Sequence, residues 1–169
     1  MKWLTAAFAL ILGSTMEHAD GNKLSVPAHP KWKEECGSCH IAYPPQLLTG
    51  DNWQRLMGGL DKHFGANAML KQSDNQEILD FLQRYAGRGG KYSSSSLRIS
   101  DTPWFTREHR EVSNNTWSDP AVKSRSNCTA CHVNAERGDW SERGIKMPGG
   151  QRGEGHGERH EHGRERDDD

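Results

Sequence analysis

The chain has no apolar run long enough to cross a bilayer, no thiol outside two short strings, and no excess of charge of either sign. A membrane-spanning helix needs about 20 apolar residues, whereas the stretch from Leu4 to Leu12 has nine positions and one of them is Thr5. The formal net charge of -1 gives no electrostatic basis for a nucleic-acid partner. Only four cysteines are present, and the two strings use all of them, so none is left for a disulfide or a free reactive site. Apolar residues are scarce as well, at 33% of 169 positions with a mean hydropathy of -0.94. Such a chain makes at most one modest domain with tails and is poor in material for a self-sufficient core. It can stay folded if a large apolar group is buried within it.

The two strings supply that group. They are Cys36-Gly37-Ser38-Cys39-His40 and Cys128-Thr129-Ala130-Cys131-His132, and C-x-x-C-H is the attachment signature of a c-type haem. The two thiols add across the haem vinyl groups, and the adjacent histidine is placed to become the proximal iron ligand. Two complete copies predict two covalently attached haem c groups, held by Cys36, Cys39, Cys128 and Cys131, with His40 and His132 as proximal ligands. The six tryptophans are numerous for so polar a chain; packing on haem accounts for them about as well as ordinary core packing. Zinc is the rival use of paired cysteines, but its usual gap is about 15–20 residues, and here 88 residues separate Cys39 from Cys128.

The leader agrees with haem attachment. Met1-Lys2-Trp3 followed by the run from Leu4 to Leu12 reads as a signal peptide over residues 1–19. Cleavage is expected between Thr15 and Ala19, although no A-x-A string follows the run; an uncleaved anchor is the other reading. C-type haem attachment takes place outside the bacterial cytoplasm. The expectation is therefore an exported, periplasmic protein that is not integral to the membrane after cleavage.

What such iron does depends on its sixth ligand. If both axial positions hold histidine, small molecules are excluded and the iron is limited to electron transfer; an open position would allow gas binding or catalysis. Thr49 or Asp51 can cap a helix that carries Trp53, Leu56, Met57 and Leu60 on one face. His63 continues that stripe, and Gly65 supplies a stop. His63, 23 residues after His40, is thus the expected distal ligand of the first haem. His29, seven residues before Cys36, is held in reserve. A second helix, from Asp74 to Ala86, is expected to serve packing only. Residues 87–101, rich in Gly and Ser, read as a flexible linker with no repeating apolar face. Thr102-Pro103 then opens a helix running to Val112. On it, His109 lies one turn from Phe105 and is the expected distal ligand of the second haem, with Met147 as the other candidate. A further helix is expected from Cys128 to Arg137, stopping at Gly138. Residues 149–169 contain nothing apolar and are expected to be disordered; His156, His160 and His162 there could bind a stray transition metal.

Several strings in this order resemble the bacterial dihaem cytochrome c family. They are Glu35-Cys36-Gly37-Ser38-Cys39-His40, Ala42-Tyr43-Pro44-Pro45, Trp53 with Leu56 and Met57, and His63-Phe64-Gly65. The second half adds Thr102-Pro103-Trp104-Phe105, Glu108-His109-Arg110-Glu111, and Ser126-Asn127-Cys128-Thr129-Ala130-Cys131-His132. The resemblance spans residues 32–148 and implies two bis-histidine, low-potential haems in a soluble electron carrier. In that pattern His63 and His109 match the distal ligands. It also implies electron-transfer haem proteins as partners, among them a monohaem cytochrome like the sphaeroides haem protein and a membrane b-type cytochrome. The His-rich tail departs from the family pattern.

Together these readings predict a mainly α, two-lobed c-type cytochrome with few or no strands, folded around two covalent haems. The lobes are expected at residues 20–90 and 91–148. The function expected is electron transfer between a membrane donor and a soluble haem-protein acceptor, not enzyme catalysis. The alternative is a haem enzyme or gas-binding cytochrome with one open axial site, for which no set of acid–base groups stands out.

Overall fold

A computed structural model describes residue 24 and residues 27–148 of the chain. The expected signal peptide and the His-rich tail lie outside the described residues. Five short α-helices carry the fold: α1 (Pro30–Gly37), α2 (Gly50–Met57), α3 (Gln72–Arg84), α4 (Pro103–Glu108) and α5 (Asn114–Trp117). Among the described residues there are also seven 3-10 turns, four between helices and three after α5. No strand occurs among the described residues, only the isolated bridges His63–Ala66 and His132–Ile145. The mainly α expectation holds. No helix among the described residues is long and apolar enough to cross a membrane.

Local chemistry explains most helix starts. Thr49, Thr102 and Ser113 each turn a side-chain oxygen onto a backbone N–H of the following helix, that of Asn52, Phe105 and Thr116 respectively. Pro103 sits at the first position of α4, where its missing N–H is no loss. Pro30 does the same for α1. The cap there is His29, whose Nδ1 accepts from the Trp32 N–H at 3.0 Å. Its Nε2 lies 3.7 Å from Glu77, and its ring lies 4.4 Å from that of Phe81. The histidine held in reserve as a ligand is thus engaged in fastening α1 to α3.

Helix ends differ from expectation in ways that matter for the site. α2 ends at Met57, not at Gly65, because Gly58 and Gly59 follow, and two glycines in succession are unfavourable in a helix interior. The chain tightens into a 3-10 turn (Leu60–Lys62) and delivers His63 beyond the helix, not along its face. α4 stops at Glu108, with His109 as its C-cap. The region around the second Cys string forms two separate 3-10 turns, Cys128–Ala130 and Ala135–Arg137, in place of one helix; Gly138, at φ +76°, does close it.

Two apolar clusters share the interior. Trp32, Leu48, Trp53, Met57, Ile78, Phe81 and Leu82 form the larger, between α1, α2 and α3. Leu24, Leu47, Tyr92, Trp104 and Phe105 form the smaller. Tyr43 and Ile99 pack against both. The stretch read as a linker therefore contributes to the interior: Tyr92 and Ser94 are buried. Asn52, itself buried, donates to the Ser94 carbonyl and accepts from Thr49 Oγ1 at 2.7 Å and Ser93 Oγ at 3.2 Å. A buried amide so well satisfied fixes this segment against α2.

Gly87 marks the tightest approach. A Cβ there would lie 2.2 Å from the Gln46 carbonyl oxygen and 2.7 Å from the Tyr92 ring. Overpacking of this kind costs about 1–3 kcal/mol, so Gly87→Ala is expected to lower the melting temperature of the haem-loaded protein. An unchanged melting temperature would mean that the segment around Tyr92 packs more loosely than described.

Candidate functional site

The first Cys string leaves the C-terminal end of α1. Cys36 is half-buried at the helix end, and Cys39 and His40 follow on a turn. His40 is held by a contact between its Nδ1 and the Ile41 carbonyl at 2.7 Å, and its ring stacks on Tyr43 at 4.7 Å and 22°. His63 comes from the far side, on a sharp turn where Phe64 (φ +49°) and Gly65 (φ +100°) reverse the chain. The turn is closed by the Ala66 N–H donating to the His63 carbonyl at 3.0 Å, and the Ala68 N–H to that of Leu60 at 2.8 Å. The His40 and His63 rings end up 6.1 Å apart, with 27° between their planes.

The second pair is built from different elements but has the same spacing. His109, at the end of α4, places Nδ1 2.9 Å from the Phe105 carbonyl and stacks on the Phe105 ring at 4.0 Å and 19°. His132 closes the second string. Its N–H donates to the Cys128 carbonyl at 2.8 Å, and the Lys146 N–H donates to that of Cys131 at 2.9 Å, beside the His132–Ile145 bridge. The His109 and His132 rings are 6.1 Å apart, with 74° between their planes. Trp117 flanks His109 and Trp140 flanks His132, at 5.8 Å and 5.5 Å.

This geometry suits one metal ion between each pair of rings. An imidazole nitrogen binds a metal at about 2 Å and the ring adds roughly 1 Å more, so two rings facing one ion stand about 6 Å apart. The electrostatics agree. Burial and the neighbouring His40 lower the pKa of His63; burial is also the main cause that lowers those of His109 and His132. All three therefore favour the neutral form that ligates. With Nδ1 of His40 and of His109 directed at backbone carbonyls, Nε2 is the nitrogen each leaves free. His132 Nδ1 is buried with no hydrogen-bond partner.

Burial raises the pKa of three of the four thiols, Cys36, Cys128 and Cys131. Burial, with Glu35 nearby, pushes the Cys36 thiol up to about 11, and burial pushes Cys128 to about 11. Neither is a poised nucleophile. Among the described residues no three His, Cys, Asp or Glu side chains are gathered around one point. Both strings line one cleft of about 1310 Å³, bordered by Cys39, His40, Tyr43, Cys128, Thr129 and Trp140. Cys39, His40 and Cys128 border this cleft and His63, His109 and His132 do not, so it marks the space between the two strings and not the whole of the two histidine sites.

Sequence reasoning overlooked the flanking roles of Trp117 and Trp140, and that of Tyr43, whose hydroxyl donates to the Ser126 carbonyl at 2.5 Å. The signal for the two tryptophans was the high Trp count of a polar chain, and for Tyr43 its place in the Ala42-Tyr43-Pro44-Pro45 string. Burial pushes the Tyr43 phenol up to about 12, so it remains a donor.

The dihaem cytochrome c family model matches residues 32–140. Among solved structures, DHC purified from Rhodobacter sphaeroides is 41% identical, covering 68% of this chain and 98% of its own, with a TM-score of 0.59. A dihaem cytochrome type c from Shewanella baltica is 33% identical, covering 76% of this chain and 99% of its own, with a TM-score of 0.66. No curated protein matches the chain.

Proposed function

The chain belongs to the dihaem cytochrome c family, an electron-transfer haem protein with two covalent haem c groups, and from that premise we propose how its residues divide the work. Cys36 and Cys39 attach the first haem, with His40 and His63 as its axial ligands. Cys128 and Cys131 attach the second, with His132 and His109. Bound there, the haems supply reversible one-electron chemistry. The observation that carries the assignment is the spacing of 6.1 Å in both histidine pairs.

The consequences follow from these side chains. Two histidines held 6.1 Å apart would take both remaining positions of each iron and leave none for oxygen, nitrite or peroxide, which makes electron transfer the reading with most support. The backbone contacts of His40 and His109 hold those rings in place and raise their basicity as ligands. Tyr43 stacks on His40, Phe105 and Trp117 lie against His109, and Trp140 lies against His132, so these rings set the orientation of the imidazoles. The chain acts, in this reading, as an exported periplasmic carrier between a membrane donor and a soluble haem-protein acceptor. In this reading the two haem-bearing segments, divided near residue 90, belong to one cooperative unit, since Leu47 packs with Tyr92, Trp104 and Phe105 and Asn52 bonds to Ser94.

The plane angles offer a direct test. The ground state of low-spin ferric iron follows the mutual orientation of its axial imidazoles. Angles of 27° and 74° predict two distinct low-spin signals in the electron paramagnetic resonance spectrum of the oxidised protein, one rhombic and one with a larger, more anisotropic maximum g. Two identical signals would contradict the pairing, and a high-spin signal of one haem per chain would favour an open site.

A further inference from the structure

Tyr43 is a member of neither histidine pair, yet it touches both halves of the site. Its ring stacks on His40, and its hydroxyl donates across 83 positions to the Ser126 carbonyl, two residues ahead of Cys128. The same side chain packs against both apolar clusters and lines the cleft between the two Cys strings.

Its own backbone is firmly seated. Pro44 and Pro45 follow and are fully buried, and Trp53 Nε1 donates to the Pro45 carbonyl at 2.7 Å. The segment it reaches is anchored by side chains, with Val122 buried and the Arg125 guanidinium 4.7 Å from the Trp117 ring, but its hydrogen bonding is local. Among the described residues, every other hydrogen bond of residues 122–127 joins positions no more than five apart, and Lys123 takes a left-handed conformation at φ +62°. The approach to Cys128 is therefore a locally bonded loop, tied by hydrogen bonding to the first half of the molecule at one point.

We propose that Tyr43 is a positioning residue, the joint that sets the spacing of the two haem-carrying segments and the orientation of the His40 ring. This rests on the ligand assignment above. The spacing matters for electron transfer because the charge change at one redox centre acts on the other with an energy that falls with distance. A fixed joint keeps that mutual influence constant, and a loosened one weakens it. Mutual influence widens the interval between the two midpoint potentials, so weakening it narrows the interval.

The test uses the full-length, haem-loaded protein and its Tyr43→Phe and Tyr43→Leu variants. Three readouts are needed: haem content per chain, the electron paramagnetic resonance spectrum, and a spectroelectrochemical titration. Tyr43→Phe keeps the stacked ring and loses only the bond to Ser126. It is expected to retain two haems and an unchanged signal from the first centre, with a narrower interval between the midpoints. Tyr43→Leu removes the stack as well and is expected to shift the first-centre signal. An interval in Tyr43→Phe equal to that of the wild type would overturn the joint, as would loss of both haems from Tyr43→Phe, which would make the hydroxyl a requirement of folding in general. A first-centre signal unmoved in Tyr43→Leu would overturn the orienting role. Failure of the ligand assignment itself shows elsewhere, as a wild-type protein without two low-spin haems.

Discussion

Replacement of His63 by alanine is expected to open one haem and leave the other closed. The His63 ring faces His40 across 6.1 Å, and alanine offers no donor to take its place. The fold should survive, because the turn that carries His63 is held by backbone hydrogen bonds, from Ala66 to His63 and from Ala68 to Leu60, and by the positive φ of Gly65. The second pair is built from α4 and the second Cys string and owes nothing to this turn. The expected spectrum has one high-spin, five-coordinate haem that takes up CO on reduction, beside one low-spin haem that does not. A variant with two six-coordinate low-spin haems would show that another residue closes the first iron.

Phe105→Ala is expected to be the most destabilising single change in the second half. The ring is buried in the smaller cluster, stacks on His109 at 4.0 Å, and lies 6.0 Å from Trp117. Emptying such a site costs about 3–5 kcal/mol, against a total of about 5–15 kcal/mol for a typical domain. Thermal unfolding of the haem-loaded variant should show a drop of many degrees. His109 keeps its backbone contact to the residue 105 carbonyl, so the second haem should remain low-spin. Its resonance signal should nevertheless move, because the ring that fixes the imidazole plane is gone. Phe105→Leu should recover most of the stability and not the signal. A melting temperature unchanged in Phe105→Ala would contradict the packing described.

What could be read from the sequence was whatever depends on short strings. The two C-x-x-C-H motifs declare haem attachment because the chemistry needs two thiols and a histidine within five positions. The Thr102-Pro103 start of α4 is equally local, and so is the Thr49 cap. His63 was singled out on a helical stripe, yet it reaches His40 by another route, since Gly58 and Gly59 end the helix and a tight turn takes over. A repeat of apolar residues cannot show that break, although the two glycines hint at it. The packing of residues 87–101 was hidden because only Tyr92, Leu97 and Ile99 are apolar in a stretch otherwise made of Gly, Ser and charged residues, and they form no repeating face. The joint at Tyr43 was hidden for a different reason: its meaning lies in a contact 83 positions away, which no local pattern encodes. The cap at His29 could not be read because histidine is an uncommon residue at that position.

The central claim is that two pairs of histidines close two irons. The most direct measurement is the absorption spectrum of the dithionite-reduced, haem-loaded protein before and after addition of CO. With His40, His63, His109 and His132 in place, the account predicts two c-type haems per chain and a Soret band that CO does not move. A CO-induced shift in the wild-type protein would mean an open or labile iron and would contradict it.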